Sequence, residues 1–133
     1  MAGESAVRRG RRVFVVEDEV IVGMLVEDML NELGCEVVAL STHLDQAVEL
    51  ARAIDIDFAV LDLNLNGRLS YPVADALRLR GVPFIFATGY GAKILVPPYA
   101  DTPTLQKPFH LDDLRRTLAE AGLRPETEIR ARD

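Results

Sequence analysis

Glu17, Asp18 and Glu19 follow directly on the apolar run Val13–Val16, and a fourth carboxylate, Asp62, closes a second run, Phe58–Leu61. Lys107 follows a third, shorter run and precedes Pro108. If these runs are neighbouring parallel strands, three carboxylates and one cation meet at one edge of a sheet. Carboxylates held together repel one another, so the arrangement asks for compensating charge. A hard divalent cation with oxygen ligands supplies it, and a phosphoryl group gives the cation and the lysine a shared purpose. Asp62 then reads as a phosphate acceptor.

The chemistry is simple in outline. A carboxylate oxygen of Asp62 attacks phosphorus to give an aspartyl phosphate. The obstacle is charge, because an anionic nucleophile approaches an anionic group, so positioning and neutralisation matter most. Mg²⁺ fits: it keeps several waters and takes one or two carboxylates together with phosphate oxygens. Asp18 and Asp62 are the expected direct ligands, Glu17 acts through water, and the backbone carbonyl of Asn64 completes the set. Lys107 offers a compact positive charge for a phosphoryl oxygen, and lysine is scarce in this chain, standing only at 93 and 107. Thr88 ends another apolar run, Phe84–Ala87, and offers a hydroxyl beside Gly89, which lets backbone approach closely. Glu19 reads as a helix-start acid favoured by the dipole, and His43 and His110 as residues at helix starts rather than catalysts.

The elements that must position these groups alternate strand and helix. Strands are expected at Arg12–Val16, Glu36–Leu40, Phe58–Leu63, Phe84–Ala87 and Thr104–Gln106. Helices are expected at Val20–Leu33, Leu44–Arg52, Tyr71–Arg80 and His110–Ala121. In the first helix Val22, Leu25, Val26, Met29 and Leu33 recur at helical spacing and mark its inner face. Thr88–Pro103 carries Gly89, Gly91, Pro97, Pro98 and Pro103, which leaves room for a turn or two of helix at most. Strict alternation gives an α/β fold, a doubly wound parallel sheet with helices on both faces. In such sheets sites form outside the carboxyl ends of the strands, where all four polar signals lie.

Composition sets bounds. The chain has 133 residues, one domain's worth, with 49% hydrophobic residues and a net charge of −6. That charge argues against general nucleic-acid binding, and Arg8–Arg12 precedes the first strand as a solvated arm. Residues 1–11 are therefore read as a flexible basic arm, 12–121 as the domain and 122–133 as a loose charged tail. Cys35 is the sole cysteine, read as a small buried hydrophobe. No run approaches a membrane span and no secretory core opens the chain, so a cytoplasmic setting is expected.

The segments Val16-Glu17-Asp18-Glu19, Leu61-Asp62-Leu63-Asn64, Ala87-Thr88-Gly89 and Lys107-Pro108-Phe109 resemble the receiver domain of two-component response regulators over about residues 12 to 121. That resemblance implies a flavodoxin-like receiver fold, with five parallel strands ordered 2-1-3-4-5 and a shortened or irregular fourth helix. It implies Asp62 as phosphoacceptor, Glu17 and Asp18 as the metal-binding acid pair, Thr88 as switch hydroxyl and Lys107 as the phosphate-contacting lysine. It also implies Asn64 and Tyr90 at positions that tune hydrolysis, and a cis bond before Pro108. The implied phosphodonor is a sensor histidine kinase, a histidine phosphotransfer protein or a small phosphodonor. Pro83–Gly91 resembles more narrowly the "FAT GUY" receivers, mostly short single-domain regulators. Two positions depart from the common receiver pattern: Thr104 stands where the switch aromatic is usual, and Asn66 replaces a proline four residues after Asp62. A ring's inward rotation is then not open to residue 104, and the loop after Thr88 becomes the expected place of response.

Four rivals are weighed against this reading. An aspartate-nucleophile phosphatase wants a second acid two residues after the nucleophile, where Asn64 stands. A flavin protein wants a phosphate loop after the first strand, where the acids would repel it. An unphosphorylated pseudo-receiver remains as the alternative, as does a phosphate sink for a kinase. Nothing after the last helix is long enough for an output module, so the expected protein is no turnover enzyme. It signals by phosphorelay or by binding a downstream protein, with no nucleic acid and no membrane.

Overall fold

The computed structural model describes residues 10–89 and 95–123. In chain order the elements are β1 (Arg12–Val16), α1 (Val20–Glu32), β2 (Glu36–Ser41), α2 (Leu44–Ala53), β3 (Phe58–Asp62), the short strands β4 (Asn64–Leu65) and β5 (Arg68–Leu69), α3 (Tyr71–Leu79), β6 (Phe84–Thr88), β7 (Thr104–Gln106) and α4 (Leu111–Glu120). The five long strands form one parallel sheet in the order β2-β1-β3-β6-β7. This is the expected 2-1-3-4-5 order, with the expected fourth and fifth strands being β6 and β7. Strand order reverses between β1 and β3, which places the crevice at their carboxyl ends.

Both sheet faces are covered, so the three central strands β1, β3 and β6 are near-continuous apolar runs, while the edge strands β2 and β7 carry polar residues. Phe14, Val16, Ala59, Leu61 and Phe86 point to the side closed by α2 and α3. Val13, Val15, Phe58, Val60 and Ile85 point to the side closed by α1 and α4. Arg80, just past α3, ties the first of these layers together. Its guanidinium donates to the carbonyls of Ala51 at 2.7 Å and Ile54 at 2.8 Å, satisfying the open end of α2.

Three local expectations need correction. The inner face of α1 is Gly23, Val26 and Leu30, continued by Leu33, while Leu25 lies on the exposed side and Val22 and Met29 at the margin. Gly23 belongs to that face because a Cβ there would stand 2.9 Å from Cδ1 of Leu40, so its bare backbone lets the helix close on β2. The tail is not loose from its first residue: Leu123 is buried in the α1–α4 layer and its N–H donates to Leu118 O at 2.7 Å. The third strand ends at Asp62 and not at Leu63, and beyond it β4 and β5 pair antiparallel around Asn66 and Gly67.

Among the described residues between Thr88 and Thr104 there are turns and no helix. Residues 95–103 are nonetheless packed. The Tyr99 ring is buried against Phe84, Phe86 and Tyr71, stacking on Tyr71 with centroids 5.3 Å apart, and its hydroxyl donates to Asp75. The Tyr71 hydroxyl accepts the Val96 N–H at 3.1 Å. The 1–11 arm and the 122–133 tail otherwise fall almost wholly outside the described residues. No helix among the described residues is long and apolar enough to cross a membrane.

Candidate metal and phosphoacceptor site

Glu17 and Asp18 leave β1 just past its last residue, and the Glu17 N–H still bonds to Ser41 O of β2 at 3.0 Å. Asp62 is the last residue of β3 and pairs with Ala87 of β6, so Thr88 lies one residue further toward the same edge. Lys107 follows β7 directly, and its N–H donates to the Thr88 carbonyl at 2.9 Å. The peptide bond from Lys107 to Pro108 is cis, as the resemblance implied. Register thus delivers Glu17, Asp18, Asp62, Thr88 and Lys107 to one edge of the sheet.

There Glu17, Asp18 and Asp62 each offer a carboxylate oxygen, and the three oxygens lie within 4.8 Å of one another. Glu17 and Asp62 are buried and Asp18 is half-buried. The Lys107 ammonium sits between two of them, 2.7 Å from Glu17 Oε1 and 3.2 Å from Asp62 Oδ2. The second oxygen of Glu17 accepts the Glu19 N–H at 3.2 Å. Asp18 Oδ2 accepts the N–H of Asn66 at 2.9 Å. Thr88 is buried at the end of β6.

One lysine does not neutralise three acids. Burial pushes the Asp62 carboxyl up to about 7, against the pull of Lys107 and with a further push from Glu17. Lys107 makes its shorter contact with Glu17, which leaves Asp62 the less compensated partner. Burial works to lower the Lys107 ammonium, but Glu17 and Asp62 together hold it above its ordinary range. At Asp18 burial works upward too. The Asn66 N–H and neighbouring hydrogen bonds outweigh it and hold this carboxyl below the usual range. The crevice therefore has a surplus of negative charge and an all-oxygen donor set, which fits a hard divalent cation.

A family model described as "Response regulator receiver domain" matches residues 13–119. The chain belongs to that family. The receiver from SdrG of Sphingomonas melonis Fr1, solved in solution, is 36% identical. It superposes with a TM-score of 0.76 over 86% of this chain and 98% of that one. The receiver domain of the sensor histidine kinase PA1611 from Pseudomonas aeruginosa, with a magnesium ion coordinated in its active-site cleft, is 26% identical. Its TM-score is 0.67 over 85% of this chain and 98% of that one. Among curated proteins, the transcriptional regulatory protein PdtaR of Mycobacterium tuberculosis is 31% identical over 108 residues, 78% of this chain and 53% of its own length. The receiver chain thus spans about half the length of that relative.

As a receiver of two-component signalling, the chain places its remaining expected residues as follows. Thr104 turns its hydroxyl back on its own segment, donating to Thr102 O at 3.0 Å. The aromatic rings packed on β6 are instead Tyr71 and Tyr99, whose centroids stand 5.9 and 6.0 Å from that of Phe86. Asn64 lies in β4 beside the crevice, and its side chain accepts the Gly67 N–H at 2.7 Å. Tyr90, expected to tune hydrolysis, lies outside the described residues. Glu19 stands at the start of α1 as expected, but among the described residues its side chain makes no capping bond. His43 and His110 occupy the same position in α2 and α4, and neither reaches the crevice by any described bond. Sequence reasoning missed two contributors: the Asn66 amide, signalled by the dipeptide Asn66-Gly67, and the Tyr99 anchor, signalled only by an aromatic residue in a proline-rich stretch.

Proposed function

We propose that this receiver accepts a phosphoryl group on Asp62 from a phosphohistidine of a sensor kinase or phosphotransfer protein, in a Mg²⁺-dependent reaction. The observation that carries this is the buried Asp62 carboxylate held 3.2 Å from the Lys107 ammonium, with Glu17 and Asp18 beside it. An Asp62 oxygen bonds to phosphorus while the nitrogen–phosphorus bond of the donor breaks, and the imidazole leaves as the neutral base after taking up a proton. Asp18 and Asp62 would hold Mg²⁺ directly, Glu17 through water, and Asn64 through its carbonyl. When bound, the ion neutralises charge on the transferring oxygens. Lys107 exchanges part of its bond with Asp62 for a phosphoryl oxygen, and Thr88 donates its hydroxyl to another. The same groups support later hydrolysis of the acyl phosphate, so the protein is a phosphoacceptor and not a turnover enzyme. Its output is binding to a protein target or onward transfer.

The donor has a seat next to the crevice. An apolar groove of about 370 Å³ runs between α1 and the segment after β7, lined by Val22, Leu25, Met29, Pro108 and Phe109 and ending at Lys107. Beside it Ile21 is 74% and Met24 56% exposed, an unusual surface for a helix. A donor that brings its phosphohistidine to Asp62 covers this face.

The test is incubation with Mg²⁺ and acetyl phosphate or a kinase, followed by a phosphoprotein-retarding gel. Wild type shifts, chelator abolishes the shift, and Asp62→Asn does not shift. A shift that persists in Asp62→Asn defeats the assignment.

A further inference from the structure

The hairpin after β3 sends one side chain, Leu65, into the core, while Asn64, Asn66, Gly67, Arg68 and Leu69 are exposed. Its construction is specific. Asn66 has φ 54° and Gly67 φ 88°, so both central residues of the turn lie in the left-handed region, as a two-residue hairpin of the mirror-image type requires. Asparagine tolerates that region better than other side chains, and glycine is indifferent to it. The turn is held from within by the Asn64 side chain, which accepts the Gly67 N–H at 2.7 Å. It points the Asn66 N–H at Asp18 Oδ2, at 2.9 Å, across 48 residues of sequence.

We propose that the Asn66-Gly67 turn is a positioning device for the metal ligand Asp18. It fixes one oxygen of that carboxylate so that its other oxygen is presented to the cation beside Glu17 and Asp62. This deepens the Mg²⁺-dependent reading above and rests on it. Three features support it. Asp18 has no lysine partner among the described bonds, whereas Glu17 and Asp62 share Lys107, so the turn amide is its principal fixed contact. The contact needs a backbone donor at residue 66, and proline, whose replacement by Asn66 is one of the chain's departures, has none and cannot reach φ 54°. A hydrogen bond to a ligating carboxylate is the kind of outer contact whose loss weakens metal binding by roughly 10- to 100-fold. Asn66 is thus a positioning residue, acting through its main chain while its side-chain type secures the turn.

The experiment measures Mg²⁺ binding by NMR titration of the apoprotein, with urea unfolding alongside. Asn66→Pro is expected to weaken Mg²⁺ binding roughly 10-fold or more. Asn66→Gly, which keeps both donor and conformation, is expected to retain wild-type affinity. Gly67→Ala meets no atom within 4 Å but is strained at φ 88°. It provides the comparison if the proline variant fails to fold, and is expected to bind Mg²⁺ severalfold more weakly. In metal-free protein the Asn66 amide proton should move upfield and exchange faster in Asp18→Ala. Wild-type Mg²⁺ affinity in folded Asn66→Pro or in Gly67→Ala, or an Asn66 amide indifferent to Asp18→Ala, overturns the proposal alone. A wild-type protein that takes up no Mg²⁺ overturns the metal reading and this inference with it.

Discussion

Asp62 is a group whose usefulness works against the fold. Its carboxyl is raised from the ordinary 3.8 to about 7, chiefly by burial. In the window between those values the native state binds a proton that the unfolded chain has released. Asp62's contribution to the stability of the metal-free protein therefore falls as pH rises from about 4 to 7. Asp62→Asn removes that cost, so the variant should be the more stable protein at pH 7 without metal and lose the advantage near pH 4. Urea midpoints at the two pH values check this. Mg²⁺ should reverse the ranking: at a hundredfold excess over its dissociation constant it stabilises a folded protein by about 2.7 kcal/mol. Chelation should lower the melting temperature of wild type and leave Asp18→Asn unmoved. The residue identities behind this chemistry were legible in the sequence because each acid or cation closes an apolar run. Lys107 was foreseen as a phosphate contact, but its bridging of Glu17 and Asp62 was not, since sequence order says nothing of which acid lies nearer.

At the scale of elements, the central strands could be read because both sheet faces are buried there and each is a near-unbroken apolar run, as in Phe58–Leu61. Helix α1 could not be oriented that way. Its first half is apolar all round, and one of its three buried residues is Gly23, which a count of hydrophobic side chains ignores. The β4–β5 hairpin escaped because each strand has only two residues, too few to show a period. The prolines of residues 95–103 leave room for little helix and give no sign of packing, yet Tyr99 anchors the stretch to α3. Tyr99→Phe removes the bond to exposed Asp75 and leaves no stranded buried charge, so the cost should be near 1 kcal/mol. The sharper effect is faster hydrogen exchange at Val96, whose N–H donates to the Tyr71 hydroxyl, and at Thr102, whose N–H donates to the Tyr99 carbonyl. Burial and the Asp75 carboxylate push the Tyr99 phenol up to about 12. An ultraviolet pH titration should therefore show one late-ionising tyrosine, absent from Tyr99→Phe.

For the whole molecule, the parallel sheet and its strand order bring groups from four strand ends to one crevice, while α1 presents an apolar flank next to it. Separating these two surfaces is the decisive test of how the donor is received. Ile21→Asp or Met24→Glu should slow phosphotransfer from a phosphohistidine protein at least tenfold, as a charge in an apolar interface does. The same variants should leave phosphorylation by acetyl phosphate unchanged, because the crevice itself is intact. Equal losses with both donors would mean that the flank supports the site and not the partner. The claim on which the rest depends is that Asp62 carries the phosphoryl group. After incubation with Mg²⁺ and a phosphodonor, borohydride reduction converts an aspartyl phosphate to homoserine, and peptide mass mapping locates the reduced residue. The account predicts homoserine at position 62, only when Mg²⁺ and phosphodonor are both present. Reduction at another carboxylate, or none under conditions that phosphorylate another receiver, would contradict it.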